Sequence, residues 1–244
     1  MSKKTQVSLF LIFGIFLLIA VLFFGYINSY KNKSYVQNQI ESDPVKLNVN
    51  FCIGETAKEA LNYIGMHGGY YKMPEPKVTY FWDDMPYYAY KGENKVPTLG
   101  EIEVQISDFI KEQLPECVNT LNFEGLIIEG EISSVKSSIK NEGILIHVNY
   151  PISVKKGDSI KQLLDFNYEV PTRLNAVYDT ALKITQEKLK NEGVLCLDCL
   201  VELASANEVF LEVTPYKNTT LIFTIFDNIT RVDEDEYIFN FATG

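Results

Sequence analysis

Histidine is nearly absent from this chain, which has two in 244 residues, His67 and His147. Both a serine or cysteine triad and a histidine metal centre are therefore hard to assemble. The sequence also lacks a phosphate-binding glycine loop, a nucleophile elbow and an EF-hand. The acids Asp83-Asp84 and the run 233–236 could bind Ca²⁺, but their positions are more typical of solvated turns. We predict no catalytic residue, no metal and no cofactor.

Basic residues are fewer than acidic ones. The chain has 22 Lys and Arg against 32 Asp and Glu, and a formal net charge of −10. Residues 1–34 contain four lysines and no acid, so the rest of the chain carries 18 basic and 32 acidic residues, a net charge of −14. Nucleic-acid binding depends on basic side chains that neutralise phosphates. The sequence therefore argues against nucleic acid as a partner.

Charged residues are missing altogether from positions 7–27, VSLFLIFGIFLLIAVLFFGYI. A helix of this length spans about 32 Å, which matches the hydrocarbon core of a bilayer. A cleaved secretory signal is the alternative, but residues 25–29 make a poor cleavage site. We predict a membrane anchor over residues 1–30, with membrane lipid as the partner of residues 7–27.

The orientation of this anchor is not decided by charge, because lysines flank it on both sides. The short N-terminal tail and the four cysteines favour a cytoplasmic N-terminus and a C-terminal domain outside the cell membrane. Candidate glycosylation sites at Asn32, Asn218 and Asn228 also favour a C-terminal domain outside the cell membrane. We therefore predict a single-pass protein with an extracellular domain.

After the anchor, the sequence alternates between helical and strand periodicity. Residues 31–50 are polar and contain Pro44, which indicates a linker. We predict helices over 51–67, 98–114, 172–189 and 195–206, a hairpin over 70–90, and strands over 126–133, 144–154, 160–170, 209–215, 221–226 and 237–241. The fold class is therefore α+β: an N-terminal transmembrane helix followed by an ectodomain, 51–244, of antiparallel β-sheet packed with three to four helices. A sub-lobe boundary is expected near residue 172.

Two local signals refine these elements. Thr98 and Glu101 form a capping-box pattern at the start of the second helix, and Pro115 is expected to end or bend that helix. The segment Asp83-Asp84-Met85-Pro86 is expected to be the turn of the aromatic hairpin.

Aromatic side chains are concentrated in the hairpin, with eight large rings between positions 70 and 90. This number exceeds what one small hairpin face usually buries, and Tyr and Trp suit recognition of proteins or glycans. Packing over the first helix or against a sister subunit is the alternative. The candidate binding surface consists of Tyr70, Tyr71, Tyr80, Trp82, Tyr87, Tyr88 and Tyr90.

The four cysteines are expected to form the disulfides Cys52–Cys117 and Cys196–Cys199. Antiparallel packing of the first two helices would bring Cys52 and Cys117 to one end. Two other uses remain open: a redox-active Cys196-Leu-Asp-Cys199 at a helix N-terminus, and a zinc site that recruits Cys52 and Cys117.

The N-terminus resembles the class III signal peptides of archaeal type IV pilin-like proteins. Lys3-Lys4 followed by Gln6-Val7-Ser8 and the apolar span carries this resemblance. The whole chain, including 52–71, Cys196-Leu-Asp-Cys199 and the Phe239-Asn-Phe241 ending, is similar to uncharacterised single-pass archaeal surface proteins. The resemblance implies cleavage before Gln6. We expect a non-enzymatic binding or assembly protein, whose partners are other subunits, surface proteins or glycans, and an extracytoplasmic thiol-disulfide oxidoreductase is the alternative.

Overall fold

The structure is a computed structural model that describes residues 43–190, 196–217, 219–232 and 235–244. The predicted anchor, 1–30, and the sequons at Asn32 and Asn218 lie outside the described residues. Within these ranges, no helix is both long and apolar enough to cross a membrane.

The described elements are four helices and ten strands. They are α1 (Asp43–Met66), β1 (Lys77–Tyr80), β2 (Asp83–Tyr90), β3 (Glu93–Asn94), α2 (Leu99–Thr120), β4 (Ile127–Gly130), β5 (Ser134–Ile139), β6 (Gly143–Lys156), β7 (Ser159–Pro171), α3 (Leu174–Lys190), α4 (Leu197–Ala206), β8 (Phe210–Tyr216), β9 (Thr220–Val232) and β10 (Asp235–Thr243).

The strands form two sheets. A six-stranded sheet has the order β1-β2-β10-β9-β8, with β3 paired to β2. In the four-stranded sheet, β6 pairs with β7 on one side and with β4 and β5 on the other, and every pair is antiparallel. The α+β class is confirmed, but the six-stranded sheet is mixed rather than antiparallel, since β2 and β10 run parallel.

Helix α1 is central to the packing. It contacts β10 of the six-stranded sheet and β7 of the four-stranded sheet, while α2 packs on α1 and β5. Helix α3 lies on β2, β9 and β10, and α4 packs on α3 and β8. One buried cluster includes residues of all four helices and both sheets, so the hydrophobic core continues across residue 172, where β7 leads into α3.

The N-terminal boundary of α1 corrects the predicted linker. Residues 43–50, predicted as part of a linker over 31–50, are helical. Pro44 lies in the first turn, where a missing N–H breaks no intrahelical bond. Val45 and Val49 are fully buried and continue the helical stripe of Cys52. Their burial stabilises the extra turns.

Helix α2 confirms its predicted start and corrects its predicted end. Thr98 and Glu101 make the reciprocal hydrogen bonds of a capping box. The helix continues through Pro115 to Thr120, beyond the stop expected at the proline. Leu114 and Val118 are buried on either side of Pro115, so packing against the core offsets the lost hydrogen bond.

The hairpin β1–β2 forms as predicted, but its turn lies two residues earlier. Tyr80 pairs with Asp83, so Phe81 and Trp82 form the turn. The segment Asp83–Pro86, predicted as the turn, belongs to β2 and pairs with β1. Met85 and Pro86 are buried, which explains why strand pairing prevails over the turn propensity of Asp and Pro.

Candidate ligand-binding groove

A polar row crosses the six-stranded sheet on its outer face, which is the face opposite the buried Phe223, Phe239 and Phe241. Thr224 of β9 pairs with Glu212 of β8 on one side and with Asn240 of β10 on the other. Because directly opposed residues point to the same side of a sheet, these three side chains form one row. Apolar pairs flank it, Phe226 with Ile238 and Ile222 with Ala242.

The row lies in a groove because β2 leaves β10. The parallel pairing of these strands involves only Tyr87 and Ala89 of β2, while the first half of β2 pairs with β1. The C-terminal end of α1 approaches β10 beside this gap. A Cβ atom on Gly65 would lie 2.3 Å from the carbonyl oxygen of Ile238, so only glycine allows the approach.

The resulting outer-face groove has a volume of about 290 Å³. Its walls come from β1, β2, β8, β9, β10 and the end of α1, so it depends on the tertiary fold. It is lined by Met66, Tyr80, Phe81, Asp83, Met85, Glu212, Thr214, Ile222, Thr224, Phe226, Ile238 and Asn240. A mixed lining of rings, aliphatic groups and a few polar side chains is typical of ligand sites.

The only charged side chains of the groove are two acids, Asp83 and Glu212. Within the described part of the chain, neither makes a salt bridge, and Glu212 accepts one hydrogen bond, from Thr214 Oγ1 at 3.3 Å. Asp84 is the contrasting neighbour. Its Oδ2 lies 2.7 Å from Lys77 Nζ, and this hydrogen bond holds the pKa of Asp84 below its usual value. The groove thus has two uncompensated negative charges.

Asn240 adds an unused acceptor. Its side chain is 3% exposed, and its Nδ2 donates to the Met66 carbonyl oxygen at 3.4 Å. The other amide atom, Oδ1, accepts no hydrogen bond from the described residues. A buried acceptor without a donor destabilises a fold by about 1–3 kcal/mol, and this acceptor belongs to a residue of the groove lining.

The tip of the β1–β2 hairpin projects at the rim of the groove. Phe81 is 75% exposed and Trp82, the only tryptophan, is 94% exposed. Phe81 also has a φ of 54°, in the left-handed region that a bulky residue rarely adopts. Such strain costs about 1–3 kcal/mol and is concentrated at functional sites. The strained backbone of Phe81 and the two solvent-exposed rings therefore mark the rim as a contact surface.

The structure separates the predicted aromatic surface into four places. Tyr80 and Trp82 belong to the groove and its rim. Tyr88 is fully buried in the core, where its hydroxyl donates to the Gly68 carbonyl oxygen at 3.0 Å and burial raises its pKa. Tyr88 therefore contributes no surface.

The other four rings lie away from the groove lining. The Tyr71 hydroxyl donates to Glu112 on α2 at 2.9 Å, and burial raises the pKa of the neighbouring Tyr70 to about 12. Tyr87 and Tyr90 pack on each other, and the Tyr87 hydroxyl lies 2.9 Å from Thr220 Oγ1. Sequence reasoning missed Glu212 and Asn240, whose strands carry no signal beyond ordinary alternation.

Both predicted disulfides are present. Cys52 of α1 and Cys117 of α2 have Cα atoms 5.7 Å apart, and their bond joins the two helices. Cys196 and Cys199 form the second bond at the start of α4. Cys196 is the N-cap of this helix, and its Sγ accepts a hydrogen bond from the Cys199 N–H at 3.2 Å. The zinc alternative is wrong, because the sulfur atoms of all four cysteines are in disulfides.

The histidines lie on different elements. His67 stacks on Tyr63 at the end of α1 with Nδ1 2.6 Å from the Tyr63 carbonyl oxygen, and His147 of β6 has Nδ1 2.9 Å from Asn167 Oδ1. In the part of the chain that the structure describes, no three metal-binding side chains come together. Asn228 is exposed on β9.

The groove, its rim and the disulfide at the start of α4 are thus features of the described residues with potential for interaction. Comparison of the chain with family models, with curated proteins and with solved structures finds no match.

Proposed function

We propose that this chain is a single-pass surface protein, anchored by residues 7–27, whose extracytoplasmic domain binds a partner through the outer-face groove and the Phe81-Trp82 tip. Its role is binding or assembly rather than catalysis. A pilin-like association of the apolar helices in the membrane would bring several copies together. The observation that carries the binding role is the pair of exposed rings, held in a strained turn at the rim of a groove with unpaired acids.

The location is supported by sequence and by cysteine chemistry. The uncharged stretch 7–27 is long enough to cross a bilayer. Two disulfides without a free thiol among the described residues are typical of an oxidising compartment outside the cytoplasm. Protease added to intact cells should therefore digest the chain beyond residue 30. Protection of that whole region in unbroken cells would contradict the topology.

If the hairpin tip binds a partner, a substitution at Phe81 should be able to raise the stability of the protein and still weaken binding. Replacement by glycine, Phe81→Gly, removes both the ring and the steric cost of a positive φ. We expect the free energy of unfolding to rise by about 1 kcal/mol while partner capture on intact cells, measured by proximity labelling, falls.

The matched control is Ile229→Ser, which removes an exposed aliphatic side chain of β9 that is outside the groove lining. It should leave the labelled partners unchanged. Unchanged labelling by both Phe81→Gly and Trp82→Ala would contradict a binding role for the hairpin tip.

A second candidate function is thiol-disulfide exchange at Cys196–Cys199. The observation that favours it is the hydrogen bond from the Cys199 N–H to Cys196 Sγ at the N-terminus of α4, because this position stabilises a thiolate. Leu197 and Val201, 68% and 70% exposed, provide an apolar contact surface beside the disulfide. In exchange, a substrate dithiol would be oxidised to a disulfide as Cys196–Cys199 is reduced.

Incubation with a mild glutathione buffer separates the two roles. A structural disulfide stays oxidised, whereas an exchanging one equilibrates with the buffer. The Cys52–Cys117 bond, with Cys52 fully buried, is the internal reference. Retention of both bonds would eliminate the exchange function.

A further inference from the structure

We propose that the outer-face groove binds the cationic side chain, lysine or arginine, of a protein partner. This inference rests on the proposed binding function and specifies the chemistry of the ligand. It is drawn from the arrangement of Asp83, Glu212 and Asn240 around an aromatic groove.

The charge of the groove is negative. Both charged side chains of the groove are carboxylates, and no described lysine or arginine makes a salt bridge with either. An anionic ligand would be repelled, and an apolar ligand would desolvate these carboxylates without pairing them. A cation compensates the charge, and the net charge of −14 outside residues 1–34 increases its attraction.

The polar groups of the groove also favour a ligand that donates hydrogen bonds. Ionised Asp83 and Glu212 are acceptors only, and the unused atom of Asn240 is also an acceptor, because its nitrogen already donates to Met66. The complementary ligand group is therefore rich in donors. An ammonium has three donors and no acceptor, and a guanidinium has five.

The aromatic rings of the groove are suited to a cation as well. Tyr80, Phe81 and Phe226 line the groove, and cations bind over the faces of aromatic rings. Met66 and Met85 add polarisable thioethers that can pack on the aliphatic part of a lysine or arginine. The lining thus suits both the charged end and the apolar stem of such a side chain.

The size and surroundings of the groove favour a side chain over a free small molecule. Its volume of about 290 Å³ lies at the lower limit of ligand pockets. The exposed rings of Phe81 and Trp82 extend the contact area beyond the groove itself. A partner that presents one cationic side chain and then covers these rings uses both features.

Trp82 provides the measurement, because it is the only tryptophan and lies at the rim. We would titrate the full chain with the blocked peptide acetyl-Gly-Lys-Gly-amide at millimolar concentrations and record Trp82 fluorescence. The reference peptide contains Nε-acetyl-lysine, which has similar length and no charge. A neutral trisaccharide tests the glycan alternative.

We expect the lysine peptide to change the fluorescence and the acetylated peptide to bind at least several-fold more weakly. Asp83→Asn and Glu212→Gln should each weaken lysine binding by roughly three- to tenfold, and added salt should weaken it further. The matched control is Asp158→Asn, an exposed acid in the turn between β6 and β7, which should leave the affinity unchanged.

Three results would contradict the proposal that the ligand is cationic. These are equal binding of the two peptides, no response to the lysine peptide, and a response to the trisaccharide that the acid substitutions do not alter. In each case, loss of cell-surface labelling by Trp82→Ala would still support a binding role for the rim. If the labelling were unchanged in both Trp82→Ala and Phe81→Gly, the proposed function itself would fail.

Discussion

The disulfide between α1 and α2 should provide a large part of the stability of the folded domain. Cys52 and Cys117 are separated by 65 positions, whereas Cys196 and Cys199 are separated by 3. Loop-entropy estimates give about 4 kcal/mol for a loop of the first length and less than about 2 kcal/mol for the second. We therefore predict that the double variant Cys52→Ala/Cys117→Ala is destabilised far more than Cys196→Ala/Cys199→Ala.

The expected difference is measurable by calorimetry on the purified full-length protein. For a chain of this size, 1 kcal/mol corresponds to roughly 2–4 °C in the thermal midpoint, so loss of the long-range bond should lower it by roughly 8–16 °C. Double alanine variants avoid leaving a free thiol. Since Cys52 is fully buried, alanine also avoids placing an unpaired hydroxyl in the core.

Equal midpoints of the two double variants would refute this reasoning. That result would mean that the long-range bond does not restrict the unfolded ensemble more than the short bond does. A fall confined to the Cys196–Cys199 variant would mean that α4 and its contacts with α3 and β8 control the transition.

Three further predictions concern the interior. Arg173→Met should destabilise the protein by about 3–5 kcal/mol in chemical denaturation, since it leaves fully buried Asp227 without the guanidinium that lies 2.8 Å away. Burial raises the pKa of Tyr88 and Tyr237, so their stabilising contribution is complete below pH 10 and is lost as the pH rises above it; tyrosinate absorbance should report their ionisation only with unfolding. Gly65→Ala should lower the thermal midpoint and alter groove binding, because a methyl group at this position overlaps the Ile238 carbonyl.

Each of these predictions has a contrary result. A loss below 1 kcal/mol for Arg173→Met would show that the guanidinium does not compensate the buried acid. Titration of all tyrosines near pH 10 with the fold intact would contradict the burial of Tyr88 and Tyr237. An unchanged midpoint for Gly65→Ala would contradict the close approach of α1 to β10. Asp179→Asn, which breaks an exposed pair with Lys183 on α3, should change stability by at most about 0.5 kcal/mol and is the control.

The elements with strong local signals were predictable from the sequence. The capping box at Thr98 gives the start of α2, and alternating β-branched residues give β6 and β7. The pairing of Cys52 with Cys117 followed from antiparallel packing of two adjacent helices, which requires only short-range reasoning. The capping box and the strand alternation depend on residues close in sequence, and the disulfide depends on two helices that are consecutive along the chain, although its cysteines are 65 positions apart.

The groove was not predictable because its residues meet through long-range register. Asp83 lies on β2, while Glu212 and Asn240 belong to strands near the other end of the chain. Their approach depends on the parallel pairing of β2 with β10, for which neither strand has a local signal. The aromatic clustering did identify the hairpin, but it could not distinguish buried Tyr88 from exposed Trp82, because strand orientation decides which ring faces the core.

Helix α1 lies between the proposed anchor and the groove residue Met66 along the sequence. It begins at Asp43, the first described residue after the apolar stretch, and ends at Met66, which lines the groove. At 1.5 Å per residue, its 24 residues span about 36 Å. The N-terminal end of α1 follows the apolar stretch 7–27 in sequence, and the groove lies at its C-terminal end. The Cys52–Cys117 bond and the contact of Gly65 with β10 fix this helix to its neighbours. The same contacts that stabilise the fold therefore also hold the groove and its exposed rings at the C-terminal end of α1.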